Sequence, residues 1–216
     1  MKTMLSRRRM IAGGLGIAVG APLLAQDQQI DEIIESMMGS TPAQQLGPFY
    51  PVVRPLDQDA DLTMIEGHSE RAAGDLLDIF GRVVDTNGDP IVGAKLDLWQ
   101  ANAAGRYDHA GDTREDIPLD PHFQGSAVLM TDDEGRYRFR TIKPAIYGIG
   151  TFLRPRHIHF TIDGQQSRLT TQMYFPGEKE NALEDIAEDS LLVAKRSDPL
   201  EGAVEALRWD VVLPFG

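Results

Sequence analysis

Cysteine is absent from the 216-residue chain, which removes disulfides, thiolate nucleophiles and thiolate metal ligands together. A transition-metal site must then draw on His, Tyr, Asp or Glu. Histidine is scarce, with five residues in all, so any two that share a face carry weight. Basic residues are outnumbered, 21 Lys and Arg against 33 Asp and Glu, which argues against a nucleic-acid or anionic-membrane partner. An anionic substrate would need local arginines. Long apolar runs are missing too: IAGGLGIAVGAPLLA at 11–25 is too short and too glycine-rich for a spanning helix.

That run follows MKTMLSRRRM and precedes a polar boundary at QDQQ, so residues 1–25 read as an export signal. Consecutive Arg7, Arg8 and Arg9 after Ser6 resemble a twin-arginine signal. Its removal takes away four basic and no acidic residues, leaving 17 against 33 and a formal balance of −16. Ala25 suits the end of a cleavage site while Leu23 does not suit the small-residue slot two before it; a retained anchor is the alternative. The expected location is exported, periplasmic or extracellular, with no membrane contact in the mature form.

Residues 26–75 are polar and turn-rich, with a short helical candidate at Asp31–Met38 and the run LGPFYP at 46–51; they read as an arm laid over a domain. From Leu76 to the end at 216 the pattern becomes short β-branched and aromatic runs between turn signals, the mark of an antiparallel β-sandwich with long loops. LLDIFGRVVD, TNGDP and IVGAKLDLWQ predict one hairpin, and SAVLMT, DDEG and RYRFRT a second. Tyr137 and Phe139 alternate with Arg136, Arg138 and Arg140, one face for the core and one for water. Further strands are expected at HIHFTID, LTTQMYF and ALRWDVVL, where Trp209, Val211 and Leu213 share a face. The irregular segments 100–125 and 176–200 are where binding or catalysis would sit.

Within RPRHIHF, His157 and His159 project to the same side of a strand while Ile158 and Phe160 point the other way. Two neutral imidazoles on one face make half of a metal site. His68, His109 and His122 fall in polar segments and read as solvated. Zinc would want a third His or a carboxylate, and a ferrous oxygenase site one carboxylate. Tyrosine phenolate is the other choice: a phenol of pKa about 10 ionises at neutral pH only under a strong positive charge, which a ferric ion supplies. Of Tyr50, Tyr107, Tyr137, Tyr147 and Tyr174, Tyr137 is explained as core. Tyr107 and Tyr147 sit outside the expected strands and could be aimed, but periodicity does not choose among the remaining four.

The ordered set GPFYP (47–51), GDPIVGAKLDLWQANAAGRYDH (88–109), TDDEGRYRFRTIKPAIY (131–147), RPRHIHF (154–160) and LTTQMYF (169–175) resembles the intradiol ring-cleavage dioxygenases, and within them the iron-binding β subunit of the protocatechuate branch. The likeness spans roughly residues 46–175. It implies a non-haem Fe(III) cofactor on Tyr107, Tyr147, His157 and His159, with Tyr147 and His159 axial, and Tyr107, His157 and a hydroxide equatorial. It further implies that Arg154 stabilises negative charge developing on the substrate and that Gln172 stands beside it.

By the same resemblance the reaction inserts dioxygen between the two hydroxylated carbons of a catechol to give a cis,cis-muconate-type diacid. Two phenolates and a hydroxide would cancel the ferric charge. The catechol would bind as a dianion as hydroxide leaves as water and Tyr147 takes the second proton and dissociates, so that no buried charge stands uncompensated. Departures fall beside the expected substrate pocket: Arg156 where the family has a small residue, Gly148 and Ile149 where it has bulky ones, and a shorter stretch from Tyr147 to His157. Tyr50 could reach that pocket from the arm, and Arg156, alternating with His157, would point away from the iron face. The partners implied are a catechol and dioxygen, with a homo-oligomer as the possible assembly. Two rival readings remain: a non-catalytic sandwich binding module, and a zinc hydrolase, against which the lack of an HExxH-like helix counts.

Overall fold

The computed structural model describes residues 39–54, 59–150, 152–199 and 205–215; the expected export signal at 1–25 and the helix expected at Asp31–Met38 lie outside them. The first sheet is built on β1 (Leu76–Asp85), which pairs antiparallel with β4 (Arg136–Ile142) along one edge. Its other edge carries β10 (Ala206–Arg208) and then β11 (Val211–Leu213), both parallel to it, and β9 (Lys195–Ser197) lies antiparallel beyond β10. The second sheet runs β3 (Ser126–Met130), β2 (Lys95–Trp99), β7 (His157–Asp163), β8 (Arg168–Tyr174), antiparallel throughout. A separate ribbon pairs β5 (Tyr147–Ile149) with β6 (Phe152–Arg154).

The two hairpins expected from turn chemistry do not extend into strand pairs, the first closing only over an antiparallel bridge between Val84 and Pro90. β1 and β2 belong to different sheets, as do β3 and β4. The turns themselves are present, with Gly88 N–H donating to Asp85 O and Gly135 N–H to Asp132 O, each at 3.0 Å. A turn reverses the chain without choosing its partner. Leu77, Ile79 and Val83 of β1 and Leu96 and Leu98 of β2 all bury apolar faces in one core, which two sheets packed face to face satisfy.

The alternation in β4 holds: Tyr137 and Phe139 are in the core while Arg138 and Arg140 reach across to Asp78 on β1, at 2.7 and 2.9 Å. Trp209, Val211 and Leu213 are buried as expected, but the strand breaks at Trp209 and Asp210. There the Trp209 carbonyl passes so close to Gly81 that a Cβ would meet it at 1.8 Å, so only glycine fits at that point of β1.

β7 is buried on both sides. Ile158, Phe160 and Ile162 face the sandwich core, and His157, His159 and Thr161, on the other face, are equally inaccessible. Residues 41–47 run close to that second face. Gln44 N–H donates to Thr170 O at 2.9 Å, Thr171 Oγ1 donates to Pro42 O at 2.8 Å, and Gln172 Nε2 donates to Gln45 O at 2.7 Å. Gly47, at φ 75°, brings the chain over the His159 ring, where a Cβ would lie 3.0 Å from Cε1.

Candidate metal centre

His157 and His159 point to one side of β7 with their Nε2 atoms 3.1 Å apart. His157 Nδ1–H donates to Pro155 O at 2.7 Å, which leaves Nε2 as the bare nitrogen. The cross-strand neighbour of His159 is Trp99, whose indole stacks on it at 4.9 Å and 5°. Burial, with Arg154 nearby, pulls His157 down to about 4 against the opposing pull of Pro155 O and Glu184. His159 lies well below the ordinary histidine range through burial first and then His157 and Arg154. Both rings are therefore neutral at pH 7, the form that donates to a metal.

Tyr107 comes from the loop after β2. Tyr147, expected outside regular structure, is the first residue of the short strand β5. The two phenol rings meet edge to face at 5.3 Å; Tyr107 is 6.1 Å from the His159 ring and Tyr147 is 5.5 Å from the His157 ring. Tyr107 Oη and Tyr147 Oη are both buried without a hydrogen bond of normal geometry. Native structures rarely leave such groups orphaned. Burial raises Tyr107 far above its usual value, Tyr147 adding to the effect and Arg154 and Arg114 opposing it. Burial raises Tyr147 as well, again against Arg154 and Arg114. Without a strong cation both stay protonated.

Loops do not aim side chains unaided, and two polar residues hold this one. Asn102 Oδ1 accepts the Ala104 and Arg106 N–H groups at 2.9 and 3.0 Å. Asp112, with no exposed side-chain surface, accepts Tyr107 N–H at 2.9 Å and is gripped by Arg114 Nε at 2.8 Å. Arg114 Nη2 donates to Gly105 O at 2.8 Å, and its guanidinium lies 5.3 Å from the centre of the Tyr147 ring. One ion pair thus braces both tyrosine-bearing segments.

A second polar group lies behind the imidazoles. Tyr147 and Arg154 are register partners in the ribbon. Arg154 Nη2 donates to Gln172 Oε1 at 2.8 Å and to Glu184 Oε2 at 3.1 Å, and Nε also bonds Glu184. Tyr174 Oη donates to Glu184 Oε2 at 2.8 Å. Glu184 ends a short 3-10 helix, Lys179–Glu184.

Tyr50 packs edge-on against Trp99, but its hydroxyl donates to Asp97 Oδ2 at 2.8 Å. Gly148 follows Tyr147 in β5; the Ile149 side chain lies outside the described atoms. Arg156 is partly buried and turns to Glu178 at 3.8 Å. His109 is not simply solvated, since its ring lies 5.8 Å from Phe49, and His122 packs against His68 and approaches Glu70 at 3.3 Å. Phe49, Trp99, Asp112, Arg114 and Glu184 had no periodic signal of their own. Only the inclusion of Phe49 and Trp99 in the quoted motifs could have flagged those two.

The profile of the family described as "Dioxygenase" matches residues 46–214. The "Protocatechuate 3,4-dioxygenase beta chain" of Burkholderia cepacia is 41% identical over 184 residues, 79% of this chain and 74% of that one. The chain belongs to the intradiol ring-cleavage dioxygenases. A hydroxyquinol 1,2-dioxygenase of a Rhizobium strain is 29% identical, but this dioxygenase spans only 59% of its length. The dioxygenase domain of a carbohydrate-binding fusion protein from Streptomyces sp. SirexAA-E superposes with TM-score 0.63 at 29% identity, covering 82% of this chain and 99% of that one. Catechol 1,2-dioxygenase of Acinetobacter radioresistens gives 0.64 at 26%, covering 88% and 68%. The strand-rich dioxygenase fold is shared across them, and a non-catalytic binding module is not what the relatives are.

Proposed function

We propose that this dioxygenase holds a ferric ion between Tyr107, Tyr147, His157 and His159, and that both atoms of dioxygen enter a catechol as the bond between its hydroxylated carbons breaks, giving a cis,cis-muconate-type diacid. The observation that carries the reading is the pair of orphaned, buried phenol oxygens beside two imidazoles whose Nε2 atoms converge. A ferric ion answers both: it ionises phenols that burial alone keeps protonated and takes the two neutral nitrogens. Among the described residues no three His, Asp or Glu side chains are grouped to hold a metal. When bound, the ion supplies Lewis acidity that polarises the chelated catechol for reaction with dioxygen.

The chain's own groups do the rest. With the ion bound, Tyr147 would be a phenolate able to take the proton of one substrate hydroxyl, while Tyr107, whose backbone is fixed by Asp112, would remain a ligand. Arg154 offers an N–H edge to the negative charge that grows on the ring, and Gln172, bonded to both Arg154 and Gln45 O, keeps that edge in place. Trp99, Phe49 and Tyr174 wall the centre from water.

The reading is tested by iron loading and oxygen uptake. The loaded protein should be red-brown from phenolate-to-ferric charge transfer and consume dioxygen with catechols to give the intradiol product. A colourless iron-replete protein would refute it. Tyr147→Phe should still bind iron and slow substrate chelation at least tenfold, by about the size of one lost proton-transfer partner. On the basis of the twin-arginine pattern we also propose export, tested by loss of translocation in an Arg7→Lys, Arg8→Lys variant. Because all four proposed ligands lie on this one chain, we further propose that it works without a different partner subunit, as a homo-oligomer, tested by activity and mass of the purified chain alone.

A further inference from the structure

Arg154, Arg114 and Arg54, around the four rings, each have a carboxylate, while Arg106, next to Tyr107 in the chain, donates to Ile117 O at 2.6 Å. Arg154 is held by Glu184 through Nε and Nη2, and Nη2 also serves Gln172. Arg114 is held by Asp112, and Arg54, beside Tyr50 and Trp99, by Asp97 at 2.6 Å. Arg156 turns to Glu178, which also pairs with Lys143 at 2.7 Å. Of the Arg154 nitrogens only Nη1 makes no protein hydrogen bond. It is enough for one developing oxyanion, but the net charge of the Arg154 and Glu184 pair is zero.

Phe49 and Trp99 pack on the ligand rings. On the ribbon that carries Arg154, Phe152 is 63% and Leu153 44% exposed, and Leu183, next to Glu184, is 52% exposed. A ring carboxylate entering beside Arg154 would give up hydration and meet a cation already compensated by Glu184, within a chain of formal charge −12.

Resting on the ferric reading above, we propose that the substrate is a catechol whose ring substituents are uncharged, and that Glu184 is the residue that sets this preference, by cancelling Arg154 while orienting its Nη1 toward the ring. Glu184 is itself held firmly. Tyr174 Oη donates to it, Asn181 Nδ2 anchors its helix to Phe175 O at 2.9 Å, and Asp185 after it adopts φ 54°.

The test compares kcat/KM for catechol, 4-methylcatechol and 3,4-dihydroxybenzoate in the iron-loaded protein and in Glu184→Gln, together with dissociation constants for phenol and 4-hydroxybenzoate read from the charge-transfer band. The unsubstituted and methylated rings should be favoured over the carboxylated one by at least roughly tenfold, and phenol should bind more tightly than 4-hydroxybenzoate. Glu184→Gln should raise the ratio of carboxylated to neutral turnover by roughly tenfold, the scale of one screened charge in a partly buried site, with iron content and colour unchanged. A wild-type preference for 3,4-dihydroxybenzoate, or an unchanged ratio in Glu184→Gln, would overturn the proposal. Should that variant fail to fold, tighter binding of 4-hydroxybenzoate than of phenol by the wild type would overturn it alone. A protein without colour and inert to every catechol would refute the ferric reading instead.

Discussion

His157 and His159 converge because a strand repeats every two residues, and β7 has the Trp99 strand on one side and the Gln172 strand on the other. Tyr107 and Tyr147 lie 40 positions apart in the chain and converge only because Asp112 and Arg114 tie the loop of one to the ribbon of the other. The first half of the centre is positioned by backbone ladder bonds, the second by side-chain bonds. A ladder loses little when one side chain changes; a side-chain brace is lost with a single substitution. The histidine half should therefore fail only when a donor itself is removed, and the tyrosine half should also fail from a distance.

The largest effect should come from the histidine side. His159→Ala removes a donor and the stacking partner of Trp99, and iron affinity should fall by more than about a hundredfold, beyond the range of outer-shell changes. Metal analysis after gel filtration checks it, and a variant retaining full iron would remove His159 from the centre.

Next, Arg114→Gln touches no proposed ligand atom, yet it should lower iron affinity roughly tenfold and shift the charge-transfer band, because the cation beside Tyr147 is lost. A merely structural brace would lower affinity and leave the band where it is. An unchanged affinity and band together would erase the difference between the two halves.

The smallest effect lies outside both. Burial pushes the Asp78 carboxyl up, but its bonds to Arg140 and Arg138 outweigh this and hold it below the usual carboxylate range. A depressed folded value means stabilisation that is present above the unfolded pKa of about 4 and lost as pH falls through the folded value. Asp78→Asn should cost about 2 kcal/mol at neutral pH, flatten the acid limb of stability and leave iron binding untouched. Urea unfolding at pH 7 and pH 3 measures this, and a loss of iron in that variant would show that sheet and centre are not separable.

Much of the second sheet was legible. HIHFTID and LTTQMYF became β7 and β8 because alternation is a local property, and the same alternation put Ile158 and Phe160 in the core. The hairpins were misassigned because a tight turn reports reversal and not partnership. β1 and β2 each had an apolar face to bury, and packing across the core won over pairing at the edge. Tyr50 illustrates the same limit in the site. That it could reach the pocket from the arm was legible, but its packing on Trp99 and the direction of its hydroxyl, set by Asp97 47 residues away, were not.

The sequence by itself determined the absence of thiolate chemistry, the shared face of the two histidines, the strand-rich class and, through its ordered motifs, the family. Those follow from composition and from short-range geometry. Only the tertiary structure decided which strands pair, that Arg114 braces both tyrosines, and that Glu184 neutralises Arg154. Each of those depends on charged or hydrogen-bonding groups brought together from distant parts of the chain, where the electrostatic consequence exists only once the distance does.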